Sequence, residues 1–516
     1  MKNDTNEPLE KNPMLRAIGK PPSDWRRKDL IAYVRESGIE RINFRYASID
    51  GRLKELKIPV ASRRQLDRVL ASGERLDGSN PFRGVVDPGE SDLYLVPVYR
   101  KAFQNPFDPK ALDIICQLFT ADGELFYDAP SCIVQRAQEA LRKKTGIELH
   151  ALGELEYYII HDMRNAFFRG RAQGGYHETY PFIAGARINS EILAVLARIF
   201  GNIKYGHSEV GYISNLVSDI DELKGKDLEQ HEIEFLPAPI EDMADQLLVA
   251  KWVIRNIAAK HGVGATFAPK LDEGDAGSGL HFHVSAIRDG KNIIMKDREL
   301  TDMAIRITGG MLKLAPSLTA FGNTVSSAYL RLVPHQEAPT RIAWGSRNRS
   351  VLVRVPLSWE DEELQNLASK VNPGETDRAE ASDDRATVEF RAPDGSADIH
   401  LLLAGLGVAA RYGLTSDGSK KYAEERRVVG NIFDNPEFAG KLVSLPDSCW
   451  QSAQELENQR AEYESEGVFT KKIIDFVIKT LRDENDRDLN KRLAQLSNKD
   501  RLSEARKIMH RVIHRH

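Results

Sequence analysis

Five short stretches gather side chains whose types and spacing could hold cations and handle anionic substrates. In Gly153-Glu154-Leu155-Glu156-Tyr157-Tyr158, the two-residue period of a strand puts Glu154 and Glu156 on one face. Two carboxylates side by side on an otherwise apolar strand repel each other unless a cation lies between them. Taken alone, the pair fits a solvated edge strand equally well. Gly274-Asp275-Ala276-Gly277-Ser278-Gly279 is a loop where backbone can approach a ligand. The strand after it sets His281, His283 and Ser285 on one face and Leu280, Phe282 and Val284 on the other. Two histidines and a serine on a polar face behind a glycine-rich loop favour function over structure. Thr387-Val388-Glu389-Phe390-Arg391 alternates likewise, with Glu389 and Arg391 together. Gly206-His207-Ser208-Glu209 and Gln230-His231-Glu232 add two more carboxylates. Five carboxylates and a histidine, without thiolates, suit Mg²⁺ or Mn²⁺ rather than zinc. Six ligands exceed what one Mg²⁺ takes from protein, so two neighbouring sites are expected. Arg331, then Arg347-Asn348-Arg349 and Arg354, form the cationic stretch. Such arginines can grip carboxylates or phosphates bidentately. The Arg347-Asn348-Arg349 cluster by itself reads better as surface ion pairing.

Elements must bring these stretches together. The chain has 516 residues, enough for two to four domains. Trp25–Arg35 reads as a short helix, and 41–48 with 53–60 as a hairpin turning at Asp50-Gly51. A helix over 63–72 and strands at 92–98 and 113–118 complete a small α+β unit. A helix at 131–144, a strand at 147–160 and alternating elements to about 415 follow, then charged helices including 453–463 and 473–483. The segment 360–386, with nine Asp or Glu residues, reads as a solvated surface insertion. Residues 1–21 read as a disordered polar tail rather than a signal peptide.

Composition excludes more than it assigns. Lys and Arg number 72 against 76 Asp and Glu, so no global basic footprint for nucleic acid or a membrane surface exists. Three scattered cysteines rule out a disulfide scaffold and fit a reducing, cytoplasmic setting. No apolar run reaches the roughly 20 residues of a membrane span.

In this order the segments resemble the glutamine synthetase family, from about Asp77 to Arg391 and more weakly to about residue 490. The resemblance implies an α+β fold: an N-terminal β-grasp domain over 22–122 and a C-terminal α/β catalytic domain over 123–516 with a large antiparallel sheet. It implies a homo-oligomer, a dodecamer of two stacked rings, whose active sites join one subunit's small domain to a neighbour's large one. Glu156, Glu209 and Glu232 would hold one Mg²⁺ or Mn²⁺, and Glu154, His281 and Glu389 another. Arg331, Arg391 and backbone at Gly277 would hold L-glutamate; His283 and Ser285 would lie near ATP, with Arg349 and Arg354 at its phosphates. Asp77 would bind and deprotonate ammonium, Glu337 would close the site, and Tyr176 and Glu209 would line the amine pocket.

The implied reaction is ATP-dependent ligation of ammonium to glutamate through γ-glutamyl phosphate. A larger amine (polyamine, ethanolamine or methylamine) is the alternative, and a non-catalytic assembly role a more distant one. The chain departs from the family pattern at several points. Ala276 stands where the family has Asn, near glutamate's amino group; Thr387 replaces an arginine, and Asn80 a serine. The stretch between Glu209 and Glu232 is about a dozen residues longer than usual, and the acidic insertion at 360–386 is atypical.

Overall fold

The computed structural model describes residues 10–162, 167–333, 338–357, 367–376, 385–434 and 436–515. The tail expected to be disordered is ordered from residue 10. Pro13–Ile18 is a helix whose N-cap, Asn12, accepts from the Met14 and Leu15 amides. The Asn12 amide also donates to the Ile199 carbonyl at 2.9 Å, and Met14 is fully buried. A cap, a proline at the first helical position and one anchoring methionine outweigh the polar surroundings.

Five strands make the small sheet: β1 (Arg41–Ala47), β2 (Leu53–Pro59), β3 (Glu74–Asp77), β4 (Asp92–Gln104) and β5 (Ala111–Thr120). Their order is β2-β1-β5-β4-β3, with β1 and β5 parallel at the centre. Gly51, at φ +71°, makes the β1–β2 turn. Ile42 and Phe44 share a core with Leu30 and Tyr33 of the helix Arg27–Glu36 and with Leu66 and Leu70 of the helix Arg63–Ser72. Where β1 buries charge it is paired: Arg45 donates to Asp113 at 2.7 Å, and the Asn43 and Asn105 amides bind the same carboxylate.

The second sheet holds ten strands, centred on β6 (Glu148–His161). β8 (Asp227–Phe235) flanks it on one side and the strand Leu280–Arg288 on the other. β7 (Ile203–Ile213) lies outside β8; Val388–Phe390, Val353–Val355 and Trp344–Ser346 extend the opposite side. Among the described residues all its pairings are antiparallel except the outermost, between Trp344–Ser346 and Val353–Val355. One face is apolar and covered by helices. Leu149, Ala151 and Leu155 of β6 are fully buried, and a Cβ on Gly153 would meet Leu247 of the helix Ile240–Lys260 at 2.8 Å. The near-continuously apolar helices Asp302–Gly322 and Ile399–Thr415 complete this side. The opposite face carries the charges. No helix among the described residues is long and apolar enough to cross a membrane.

A buried ionic network ties the small sheet to the large unit. Lys101 of β4 engages Asp245 and lies 3.1 Å from Asp242, while Arg100 reaches Asp242 at 2.7 Å. His400 closes the network on Asp245 at 3.0 Å. Burial opposes ionisation of Asp245, yet Lys101 and His400 prevail and hold its carboxyl down to about 2. Removing one partner of such a group strands the others without compensation. Asp245→Ala is therefore expected to lower stability by about 3 kcal/mol, read from the midpoint and slope of urea unfolding.

Candidate active site

Strand register builds the site. Residues directly opposite in an antiparallel pair share a face. Glu154 stands opposite Glu234 of β8 and opposite His281; Glu156 stands opposite Glu232. His283 stands opposite Glu389, and Glu389 opposite Arg354. Five neighbouring strands thus deliver their polar side chains to one surface. On β7 the pairing places His207 opposite Glu232 and then shifts register between Ser208 and Tyr212, the kind of irregularity that re-aims side chains beside a site. Glu209 sits at that shift.

Both histidines of the Leu280–Arg288 strand bind Glu154: His281 Nδ1 at 3.0 Å and His283 Nε2 at 2.8 Å. His283 Nδ1 lies 3.1 Å from the Thr387 hydroxyl, so the residue standing in place of an arginine orients an imidazole. Ser285, further along the same face, is buried. Glu156 accepts from the Gln230 amide and the Gly279 backbone, each at 2.8 Å. Gln230 also donates to the Gly277 carbonyl, joining the glycine loop to the carboxylate. Glu389 accepts from Arg354 at 2.9 Å and from Arg391, while Arg331 reaches His281 Nε2 at 3.3 Å and the Ala392 carbonyl at 2.9 Å.

Among the described residues, three groups bring one donor atom each within 4.8 Å of one another: Glu154–His283–Glu389, His207–Glu209–Glu232, and Glu154–Glu232–Glu234. His281, expected beside Glu154 and Glu389, is 3.0 Å from the first and 3.8 Å from the second, and His283 joins the same two carboxylates from two residues along. Sequence reasoning left out His207 and Glu234, although each lies two residues from an expected ligand. Gln230 and Thr387, which orient Glu156 and His283, likewise lie two residues from the expected ligands Glu232 and Glu389.

Electrostatics divides the cluster. Burial alone would keep Glu154 neutral, but the charge on His283 and hydrogen bonds from both histidines hold it well below the usual carboxylate range. Glu389 is also lowered: burial opposes its charge, but Arg391 and the two histidines together prevail. Glu156 goes the other way, pushed up to about 8 by burial and by Glu209. Burial and four neighbouring carboxylates raise Glu232 well above the usual carboxylate range. His281 is driven down to about 4 by burial and Arg391, leaving a neutral imidazole. Such a face is incompletely compensated by its own arginines. Hard oxygen donors, neutral imidazole and no cysteine fit divalent cations of the Mg²⁺ or Mn²⁺ kind.

The small-domain carboxylate lies elsewhere. Asp77, at the end of β3, is exposed and binds the Ser79 amide at 2.8 Å and the Asn80 side chain at 3.5 Å. Those hydrogen bonds, led by Ser79, keep it anionic. Among the described residues it touches none of the cluster within the same chain. Tyr176 does lie beside the cluster: its ring is 5.4 Å from that of His207, and its loop pairs with β7 through His177 N to Ser208 O at 3.0 Å. Arg349 is exposed and makes no ion pair among the described residues. Glu337 and much of the acidic insertion lie outside the described residues; of its described parts, 367–376 is exposed, while Ala386 at its end is buried.

Comparison with known proteins agrees with this arrangement. The profile described as the glutamine synthetase catalytic domain matches residues 128–496, and that of the glutamine synthetase β-grasp domain matches 38–121. The chain belongs to the glutamine synthetase family. The glutamine synthetase of Pyrococcus furiosus is 30% identical over 448 residues, 86% of this chain and 90% of that protein. One from Staphylococcus epidermidis is 31% identical over 346 residues, 66% of this chain and 73% of its own length. Among solved structures, a Plasmodium falciparum glutamine synthetase aligns with a TM-score of 0.71 at 21% identity, covering 92% of this chain and 98% of that one. GmaS without ligand aligns at 0.70 and 20% identity, with the same coverage. These structures share the fold. As a member of this family the chain is a ligase that forms a carbon–nitrogen bond, and the family uses ATP and divalent metals.

Gly279 reports how tightly the glutamine-synthetase site is packed. A Cβ there would lie 2.7 Å from His281 Nε2, 2.8 Å from Arg331 Nη2 and 3.2 Å from Glu156 Oε1. Gly279→Ala is expected to displace all three and lower turnover by about 100-fold, with circular dichroism and oligomer size unchanged.

Proposed function

We propose that the chain joins ammonium to the γ-carboxylate of L-glutamate at the expense of ATP, through γ-glutamyl phosphate, releasing glutamine, ADP and phosphate. The observation that carries this reading is the single sheet face on which Glu154, Glu156, Glu232, Glu389 and two histidines converge beside Arg331, Arg354 and Arg391. Two or more Mg²⁺ or Mn²⁺ ions on these ligands, with Glu209, would neutralise phosphoryl oxygens during transfer.

The chain's own groups do the rest. Arg331 and Arg391, with backbone at Gly277, bind glutamate and aim its γ-carboxylate at ATP; Arg349 and Arg354 hold the phosphates, with His283 and Ser285 near the nucleotide. Ammonium enters as a cation, drawn to Glu209 and Tyr176 and to Asp77 from a neighbouring subunit. Asp77, anionic and exposed at the end of its strand, is placed to accept the proton that ammonium must lose before it attacks. Glu337 closes the pocket and excludes water from the acyl phosphate. This sharing of sites calls for a ring assembly, a dodecamer of two stacked rings. Three free cysteines suit the cytoplasm.

A larger amine is the second reading. It is favoured by Ala276 and Asn80, which depart from the family pattern, and by the 53% exposure of Tyr176 beside His207. Phosphate release from ATP with glutamate and Mg²⁺, measured across ammonium and a panel of amines, separates the two. Ammonium-dependent release is the expected outcome; release with a larger amine alone would replace the first reading by the second. Glu156→Ala is expected to abolish turnover and leave the oligomer assembled, and wild-type turnover would remove the ligand assignment.

Proton competition gives a further check. Glu156 titrates at about 8 and Glu232 is raised as well, so a cation entering their cluster must displace protons. Calorimetry with Mn²⁺ is expected to show affinity tightening as pH rises through about 8, with protons released on binding. Affinity independent of pH from 6.5 to 9, values chosen about one unit or more either side of that titration, would contradict cation binding at these carboxylates.

A further inference from the structure

The family match ends at residue 496, and the helix Asn498–His510 follows it. That helix packs onto the loop carrying Gly277 and onto the long segment between Glu209 and Glu232. Arg506 forms a two-pronged pair with Asp272, Nε and one Nη each 2.9 Å from a carboxylate oxygen. Arg501 binds Glu273 next door. His510 is 2% exposed, with Nε2 2.8 Å from the Leu271 carbonyl and Nδ1 2.9 Å from the Ser218 hydroxyl. A carbonyl only accepts, so Nε2 carries the proton and Nδ1 accepts from Ser218. One imidazole therefore bridges the loop and the long segment. Past the helix, the Ile513 carbonyl accepts from Thr266 at 2.7 Å.

The far end of the same loop touches the catalytic face. Ser278 donates to the Pro269 carbonyl at 3.0 Å, drawing the ends of the loop together. Gln173 holds Asp275 and Ala276, Tyr158 donates to the Ala276 carbonyl at 2.8 Å, and Gln230 holds Gly277. A Cβ on Gly277 would strike the Pro269 carbonyl and the Arg331 side chain. Little slack separates Asp272 from Gly277, because both lie in one short loop pinned at each end.

We propose that this C-terminal helix is a latch that positions the glutamate-binding loop, with Arg506 as its positioning residue. The proposal rests on the reading that glutamate binds over Gly277. Arg506 touches no reacting atom; it acts through Asp272 on the backbone five residues further along. The pair is partly buried and bidentate, the geometry in which an Arg–carboxylate contact is strongest. Loss of the latch should therefore loosen the loop and weaken glutamate binding, while ATP binding on the opposite side of the cluster is spared.

The test uses the full-length assembled enzyme with Arg506→Ala, Arg506→Lys and the swap Arg506→Asp with Asp272→Arg. Arg506→Ala is expected to raise the KM for glutamate by about tenfold, with the KM for ATP and kcat held within about twofold. Amide exchange across 270–279 is expected to speed up, and the swap to restore both glutamate KM and protection. Arg506→Lys keeps the charge and loses the fork, so it should fall between. Unchanged glutamate KM and unchanged loop exchange in Arg506→Ala would overturn the latch. So would an equal loss in all kinetic parameters with a fallen melting temperature and no rescue by the swap, which marks a purely structural pair. If the enzyme does not turn over glutamate, the reading of its substrate fails separately, and loop exchange alone decides: faster exchange in Arg506→Ala, restored by the swap, upholds the latch.

Discussion

Everything in the large domain answers to one constraint: a concentration of negative charge, buried, on one face of a β-sheet. Glu154, Glu156 and Glu232 lie on adjacent strands at matching register, and Glu389 stands one strand beyond His281 and His283. Like charges at such spacing cannot all ionise in a dry environment without compensation. The protein compensates unevenly. Histidines hold Glu154 in its ionised form and arginines hold Glu389, while Glu156 and Glu232 are left to repel. That imbalance gives cation binding its driving force, and the apolar helices on the reverse face keep the strands fixed while it acts. A site built on loops could relax away from the repulsion. One built on hydrogen-bonded strands cannot.

The parts of this arrangement that were legible beforehand are those that follow from period two. Glu154 with Glu156, His281 with His283, and Glu389 with Arg391 each share a face because a strand allows nothing else. Partnership across strands was not legible, since register depends on which strands pair and at what offset. Hence His283 joins Glu154 and Glu389 beside the expected His281, and His207 and Glu234 join clusters from which they were left out. Arg354 and Arg391, expected to face anionic substrates, also neutralise Glu389, a partnership that only strand register sets. The N-terminal helix was hidden for a different reason: its stability comes from one buried methionine and a cap contact to Ile199, neither of which periodicity registers.

Asp77 shows what a single chain leaves unfinished. Its strand is the outermost of the small sheet, and its carboxylate is exposed and held by its own turn. The small domain is meanwhile locked to the large one by the Lys101–Asp245–His400 network. A rigid attachment prevents Asp77 from swinging onto the cluster of its own chain. In the proposed assembly another subunit would present its cluster to this carboxylate, and the buried ion network that stabilises the protomer would hold Asp77 in place for it.

Two departures from the family pattern, Ala276 and the extended segment before Glu232, meet around the glycine loop. Ala276 removes a side chain from the glycine loop, and that loop is the one gripped by Gln173, Tyr158 and Gln230 from one side. From the other side it is gripped by the C-terminal helix, which also leans on the extended segment at Ser218. An asparagine at 276 could supply contact from within the loop; here the restraint comes from outside it. A loop held by its surroundings keeps its shape with a small residue at its tip, and on the proposed reading that residue would leave more room beside glutamate's amino group. Scaffold restraint and a roomier pocket are therefore two aspects of the same change.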